Sequence, residues 1–430
     1  MENTKRRLNF AGHARQFGVR TLYAARTKGK QNMIIVGATI VLMLIFFALN
    51  QRFLESYTIV SMAQSLAPYA IMALGVTFVI ATGVIDLSIG TVCIASAVLA
   101  GHLYMQGMPL FLVIPLMILI GSLFGFVNGL LVAKLKLPAF IATLGTMMFA
   151  RGLSAIIVSI PNIFFPTGTW YNKVFSNLEG FPIGLVWVIL LAAICFVLMN
   201  KTRVGRYILA IGSNEEATRL SGVKVDKYKI IAFTLSGMFA GIAGIFWSAS
   251  FATVASATGN GMELDAIAGV YIGGTSASGG VASIVGSVIG SLILVVIRNG
   301  LNLTLAKFNV SVNSTYLTFV ITGIIVVVAV LLDVIKNKNL TKVKTEKKAK
   351  KFKEHTRAEI ESLRTERDYI RSDKSLIPED RKLKVDELNT QIEALKKELA
   401  EKLPELKKED RAFEEQRRAL KAAAKSGKQV

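Results

Sequence analysis

Side chains able to do chemistry are scarce in this 430-residue sequence, which has two cysteines and three histidines. Cys93 and Cys195 fall far apart inside apolar runs, which excludes a disulfide framework and leaves them as reduced packing residues. His13 and His355 lie in polar tails and His102 in a loop, so no cluster has metal-ligand spacing, and neither a metal nor a cofactor is expected. No Gly-x-x-x-x-Gly-Lys-Ser/Thr run occurs, so ATP hydrolysis is not encoded and no enzyme activity is expected. The glycine-rich stretch Gly273-Gly274-Thr275-Ser276-Ala277-Ser278-Gly279-Gly280 lacks the lysine that would reach a phosphate. Acids are also few, 29 against 50 Lys and Arg. Within or at the ends of apolar runs the plausible ionisable residues are Asp86, Arg151, Glu263, Asp265 and Arg298. That supply is too thin for a proton- or sodium-coupled carrier, which needs acids along its path.

What the sequence does have is apolar length. Hydrophobic residues make up 52% and the mean hydropathy is +0.50. Apolar windows at 33–49, 58–81, 84–100, 109–132, 138–160, 183–199, 229–252, 264–274, 281–298 and 315–335 predict about ten transmembrane helices. The eighth window is too short to cross as a full helix, so a broken or re-entrant segment is expected there. The fold class is all-α and polytopic. The 35 glycines suit spanning helices that pack closely through small residues.

The net charge of +21 raises the question of nucleic acid, and its placement argues against it. Much of the excess in the membrane part lies in the N-terminal tail, at Lys134 and Lys136, and in the 201–229 loop. That is the positive-inside pattern, which places these segments and both termini in the cytoplasm. Alternation then places 161–181 outside. The first 30 residues hold eight Lys and Arg and one Glu before the run that reaches Leu49. A retained signal-anchor is expected rather than a cleaved leader; an organellar transit peptide is the other reading. Ten spans divide into five plus five, and Asn128-Gly129-Leu130 echoes Asn299-Gly300-Leu301, a thin sign of inverted halves.

Three domains are expected: a basic tail at 1–32, a membrane domain at 33–335 and a charged helical tail at 336–430. The last carries 28 Lys and Arg against 19 Asp and Glu. An apolar seam through Val385, Leu388, Ile392, Leu395, Leu399, Leu406, Phe413 and Leu420 predicts an amphipathic helix or coiled coil that Pro404 should kink or break. Ile360, Leu363 and Ile370 mark an earlier helix, with a turn through 375–380 making a hairpin. The basic run 347–353 is either a solvated linker or a contact with anionic membrane lipid.

Two segments stand out in the membrane part. Asp86, in TGVIDLSIG (82–90), is a carboxylate between apolar runs. It reads either as a cap accepting from the N–H of Ser88 or Ile89, or as a group on a transport path. The glycine-rich 273–280 stretch reads either as a broken-helix connection lining a cavity or as a turn outside the bilayer. In the 205–229 loop, residues 214–222 read as a short capped helix. Asn214 or Ser213 is the N-cap, Glu215 and Glu216 fill the first turn, and Gly222 closes it. Such a helix is a good docking element for a soluble partner.

Four ordered blocks carry a family resemblance. The loop 205–229 (GRYILAIGSNEEATRLSGVKVDKYK) resembles the cytoplasmic loop of ABC transporter permeases of the ribose/galactose/xylose importer family. The segment 82–90 is similar to that family's Thr-Gly-Gly-Ile-Asp-Leu-Ser-x-Gly signature, with Val84 in place of the second glycine. The segments 128–145 (NGLLVAKLKLPAFIATLG) and 271–280 (YIGGTSASGG) resemble two further blocks. The resemblance implies a non-catalytic permease that homodimerises, with an ABC ATPase subunit inside and an extracytoplasmic sugar-binding protein outside. It implies residence in a prokaryotic plasma membrane and passage of a monosaccharide between two permease chains. It assigns ATPase coupling to Asn214, Glu215, Glu216, Ala217, Arg219 and Gly222. Signature or path positions are Asp86, Ser88, Gly90, Gly273, Gly274, Thr275 and Ser276. The 336–430 tail has no counterpart in that pattern. A nucleoside permease of the same type, a secondary transporter of small polar solutes, and a membrane scaffold acting through its tail are the competing readings.

Overall fold

The computed structural model describes residues 33, 35–158, 162–308, 316–317, 320–324, 327–328, 331, 348–372 and 377–425. They form two compact units, Met1–Val334 and Ile335–Val430. In the first, α1 (Ile35–Leu49) and a 3-10 turn (Gln51–Leu54) lead into α2 (Ser56–Ile80), α3 (Ile89–Met105), α4 (Leu110–Ala133) and α5 (Ala139–Ile157). Strand β1 (Ile163–Phe164), α6 (Trp170–Phe175), α7 (Gly184–Lys201), α8 (Arg203–Ser213), α9 (Glu215–Leu220) and α10 (Val225–Phe251) follow. Strand β2 (Thr253–Val254), α11 (Met262–Ile272) and α12 (Ile284–Lys307) complete the described set. Among the described residues, α2, α4, α5, α7, α10 and α12 are long and apolar enough to cross a membrane, and α1 and α3 are shorter apolar helices. The first nine expected spans each overlap a helix; the tenth lies mostly outside the described residues, as does the 1–32 tail.

Helices α2 and α4 are both apolar all round, yet 89% of the α2 span is buried and 22% of the α4 span. With no hydrophobic drive between spans in lipid, position is set by close packing of small residues and by polar contacts. Helix α10 packs most extensively on α4 and next on α2. Gly121 and Gly125 of α4 lie against Gly237 and Gly241 of α10, so a Cβ built on Gly125 would strike the Phe233 carbonyl and lie 3.0 Å from Gly237 Cα. Four-residue glycine spacing on both helices makes that seam.

Two helices begin inside the bundle. The expected third span, 84–100, is helical only from Ile89, and residues 84–88 are irregular. The expected short eighth span is α11, whose 11 residues cover about 16 Å, half of a ~30 Å hydrocarbon core. The chain reaches its start by descending along α3. Gly101 lies against Ile163 and Phe165, beside the Ile163↔Val254 pair; Gly259 lies against Ile94; and Gly90 lies against Met262 and Glu263. The eleven residue-to-residue rises along α3 between Gly101 and Gly90 make this descent roughly 16 Å. Irregular backbone at that depth is tolerated where it is buried in protein or lines a water-filled cavity.

In the second unit, α13 (Lys348–Ser372) and α14 (Pro378–Lys425) pack together. Ile360, Leu388 and Ile392 are buried, and Arg367 Nη1 donates to Asn389 Oδ1 at 3.3 Å, so the helices meet across the turn as a hairpin. Two expectations change. Pro378 opens α14 instead of sitting in the turn, as suits a residue without an N–H at a first helical position. Helix α14 also runs through Pro404 unbroken: Pro404 is exposed, so water can satisfy the carbonyl that loses its partner.

Candidate functional site

Three of the four sequence blocks converge. The α2–α3 turn is set by Gly83 at φ +87° and by Asp86, which is 1% exposed. Asp86 Oδ1 accepts from the Ser88 N–H at 2.9 Å and from Ser88 Oγ at 2.6 Å, the local capping geometry. Its Oδ2 accepts from Ser236 Oγ of α10 at 2.8 Å. Ser88 Oγ accepts from Asn128 Nδ2 of α4 at 2.9 Å, and Asn128 Oδ1 accepts from Thr146 Oγ1 of α5 at 2.6 Å. One carboxylate thus anchors a buried network joining the turn to α4, α5 and α10, which satisfies groups that would be costly unpaired. Asn299, the proposed echo of Asn128, donates only to Val295 O within its own helix.

The 273–280 stretch is a compact, hydrogen-bonded connection. Gly273 closes α11 against Gly286, and Gly274, Gly279 and Gly280 take positive φ. Thr275 and Ser276 are buried; the Thr275 N–H donates to Val270 O at 3.2 Å and Thr275 Oγ1 accepts from the Ser283 N–H at 3.1 Å. The Gly280 N–H donates to Ala81 O at 3.0 Å, tying this loop to the end of α2.

Helix α8 arrives at the same point. A Cβ on Gly212 would overlap Ala81 O and Gly280 N. One on Gly279 would lie 2.6 Å from Gly83 N and 2.9 Å from Gly212 Cα, and one on Gly280 would lie 3.0 Å from Ser213 Cα. The signature turn, the glycine-rich loop and the 205–229 loop therefore meet largely backbone to backbone, with Ser213 Oγ the side-chain atom that reaches Gly280.

Helix α9 continues from that junction. Asn214 is its N-cap, with Oδ1 accepting from the Ala217 N–H at 2.9 Å, and Gly222 closes it at φ +82°. Ion pairs strap it down: Lys229–Glu215 at 2.6 Å, Arg219–Glu215 at 3.3 Å, Arg219–Asp226 at 3.0 Å and Lys136–Asp226 at 2.8 Å. Partial burial works against the Glu215 carboxylate, but the Lys229 ammonium and Arg219 guanidinium outweigh it and hold its carboxyl below the ordinary range. Glu216 and Ala217 are exposed. Leu220, which the sequence reading missed, is 89% exposed beside them. Its signal was an apolar residue in an otherwise polar short helix.

At the far end of α10, α6 docks. The Tyr171 hydroxyl lies 2.7 Å from Ser248 Oγ and donates to Ile245 O at 3.0 Å, and Asn172 Nδ2 donates to Ala249 O at 2.7 Å. Of the scarce membrane charges, Asp265 and Arg298 pair with each other, with Arg298 also bonded to Tyr69 and Thr322 Oγ1 donating to Asp265 Oδ1 at 3.2 Å. Cys93 and Cys195 are buried and unbonded.

A family model described as branched-chain amino acid transport system / permease component matches residues 58–330. The chain is 36% identical over 302 residues to the ribose import permease protein RbsC of Haemophilus influenzae, covering 69% of this chain and 91% of that protein. It is 39% identical over 296 residues to the ribose import permease protein RbsC of Bacillus subtilis, covering 68% and 89%. It is 34% identical over 278 residues to the fructose import permease protein FruG of Bifidobacterium longum, covering 61% and 82%. No solved structure matches the chain.

Proposed function

Because the chain belongs to the family of branched-chain amino acid transport system / permease components, as a multi-pass all-α permease subunit of an ATP-binding-cassette importer, we propose that it passes a monosaccharide across a prokaryotic plasma membrane. The sugar is handed over outside by a separate binding protein and crosses between two copies of this permease. A separate ATPase binds the α8–α9 face in the cytoplasm, where both termini also lie. The relatives named for ribose and fructose import support the substrate class. The domain plan is a basic tail at 1–32, the permease at 33–335, and a charged cytoplasmic tail at 336–430.

The observation that carries this reading is the contact of α8 with the Ala81–Gly83 turn and the 279–280 loop. Helix α9 presents Glu216, Ala217 and Leu220 to a partner and is strapped to α10 through Glu215 and Arg219. A push on α9 reaches the Asp86 turn through a junction made mostly of backbone contacts. Asp86, Ser88 and the 273–276 segment act there as the hinge of the passage. The test is uptake of labelled pentose into proteoliposomes holding the permease, its ATPase and its binding protein. Uptake should require ATP and both partners; uptake driven by a proton gradient without ATP would overturn the reading.

A further inference from the structure

Beyond this hinge, the interior start of α11 holds a buried acceptor that is left open. Among the described residues of the membrane unit three acids are buried: Asp86, Glu263 and Asp265. Asp86 has both oxygens bonded, and Asp265 pairs with Arg298. Glu263 differs. Its carboxylate accepts from backbone N–H groups at the start of α11, but Oε2 is buried with no partner. A buried acceptor left open needs a reason, because leaving it unpaired costs about 1–3 kcal/mol.

A complementary cation is at hand and is not used. Arg151 of α5 is near enough to act on Glu263 electrostatically, and among the described residues the two form no ion pair. It makes one long hydrogen bond, from Nη2 to Thr91 Oγ1 at 3.3 Å. Thr91 adjoins Gly90, and a Cβ on Gly90 would lie 2.7 Å from Glu263 Oε2 and 2.6 Å from Glu263 N. The start of α3 thus packs on the open oxygen at the start of α11, and the Arg151 guanidinium is bonded to the residue next to that contact. Arg151 is half-buried on a spanning helix, where a charge facing acyl chains costs several kcal/mol, so this face of α5 turns to a polar passage or a second chain. Discontinuous helices whose ends meet inside the membrane are where transporters hold solutes.

We infer that Glu263 Oε2 and the Arg151 guanidinium form a recognition station for paired hydroxyl groups of the transported solute, an inference that rests on the sugar-importer reading. The carboxylate needs a donor and the guanidinium an acceptor, and a hydroxyl supplies either. Adjacent hydroxyls of a polyol bridge the two. An anion is repelled by Glu263, a cation by Arg151, and an apolar solute leaves both unsatisfied. Gly90 is required because a Cβ there would collide with Oε2 and with the Glu263 backbone N.

The test compares initial uptake of a pentose and of its monodeoxy analogues in proteoliposomes containing permease, ATPase and binding protein, each normalised to permease content. The same binding protein is used throughout, so its own selectivity cancels between variants. Glu263→Gln should lower pentose uptake about tenfold, the worth of one charge-assisted hydrogen bond, and narrow the pentose-to-deoxy ratio for the analogue lacking the bridging hydroxyl. Arg151→Lys, on a different helix, should narrow the ratio for the same analogue, and it decides the matter if Glu263→Gln does not assemble. If the wild type imports sugar under ATP while both assembled variants keep the wild-type ratio for every analogue, the station is refuted and the importer reading stands. If the wild type imports none, the importer reading itself has failed.

Discussion

Replacing Gly212 by alanine sets two effects of opposite sign against each other. Gly212 lies inside α8, where alanine should favour the helix by about 1 kcal/mol. The added Cβ, however, would enter space held by Ala81 O and Gly280 N, both backbone atoms that cannot rotate away. Overpacking of that kind costs about 1–3 kcal/mol, so the net effect is a destabilisation of roughly 0–2 kcal/mol, concentrated at the junction. If the junction carries the stroke, the variant should still bind and stimulate the ATPase while the sugar moved per ATP falls. A change of about 1.4 kcal/mol in the balance of two arrangements is tenfold, which sets the scale of the expected loss. The assay is simultaneous measurement of phosphate release and sugar uptake in proteoliposomes, with thermal unfolding of the detergent-solubilised complex alongside. Gly37→Ala in α1, where nothing lies within 4 Å of the new Cβ, is the control and should be neutral or slightly stabilising. The reasoning is refuted if Gly212→Ala raises thermal stability and leaves sugar per ATP unchanged, because helix propensity would then have won and the backbones would not be in contact.

Three further outcomes are expected. Gly125→Val should separate α4 from α10 and lower the thermal midpoint, with a cost of at least 1–3 kcal/mol, roughly the overpacking range; a midpoint equal to wild type would contradict the seam. Leu220→Asp together with Glu216→Lys should weaken ATPase binding in co-purification without shifting permease stability, whereas Glu215→Gln should disturb α9 modestly, since exposed ion pairs contribute about 0.2–1 kcal/mol. Deleting residues 345–430 should leave basal uptake largely intact in whole cells; complete loss of assembly would give the α13–α14 hairpin a role in folding the permease.

Hydropathy was enough to locate the six long apolar helices among the described residues, because a bilayer demands long apolar runs whatever their neighbours. It separates α2 from α4 only in degree, at a mean hydropathy of 1.6 against 2.7, and does not say which neighbours bury α2 and leave α4 largely uncovered. The N-cap at Asn214 and the closure at Gly222 were legible, since capping is a local exchange of hydrogen bonds. Asp86 was legible by half: its bond to Ser88 lies two residues away, but its bond to Ser236 spans 150 positions. The irregular 84–88 segment was read as helix because its residues are apolar, and only the turn at Gly83 and Asp86 explains its delay. The glycines of the junction were visible as a loop signal, but that Gly83, Gly212 and Gly279 touch one another is a property of the fold. Leu220 escaped because exposure is not written in a residue's type.

Helix α10 is one unbroken rod of 27 residues, about 40 Å long, tied at one end to α9 through Lys229 and at the other to α6 through its Ile245 and Ala249 carbonyls. A rod held at both ends and clamped near its middle by the α4 glycines is a lever with a fulcrum. A tilt of roughly 6° about that point moves each end by about 2 Å, in opposite directions. If α10 tilts in this way during transport, closing one mouth of the passage and opening the other need no relay between them, since the same rotation, seen from its two ends, would do both.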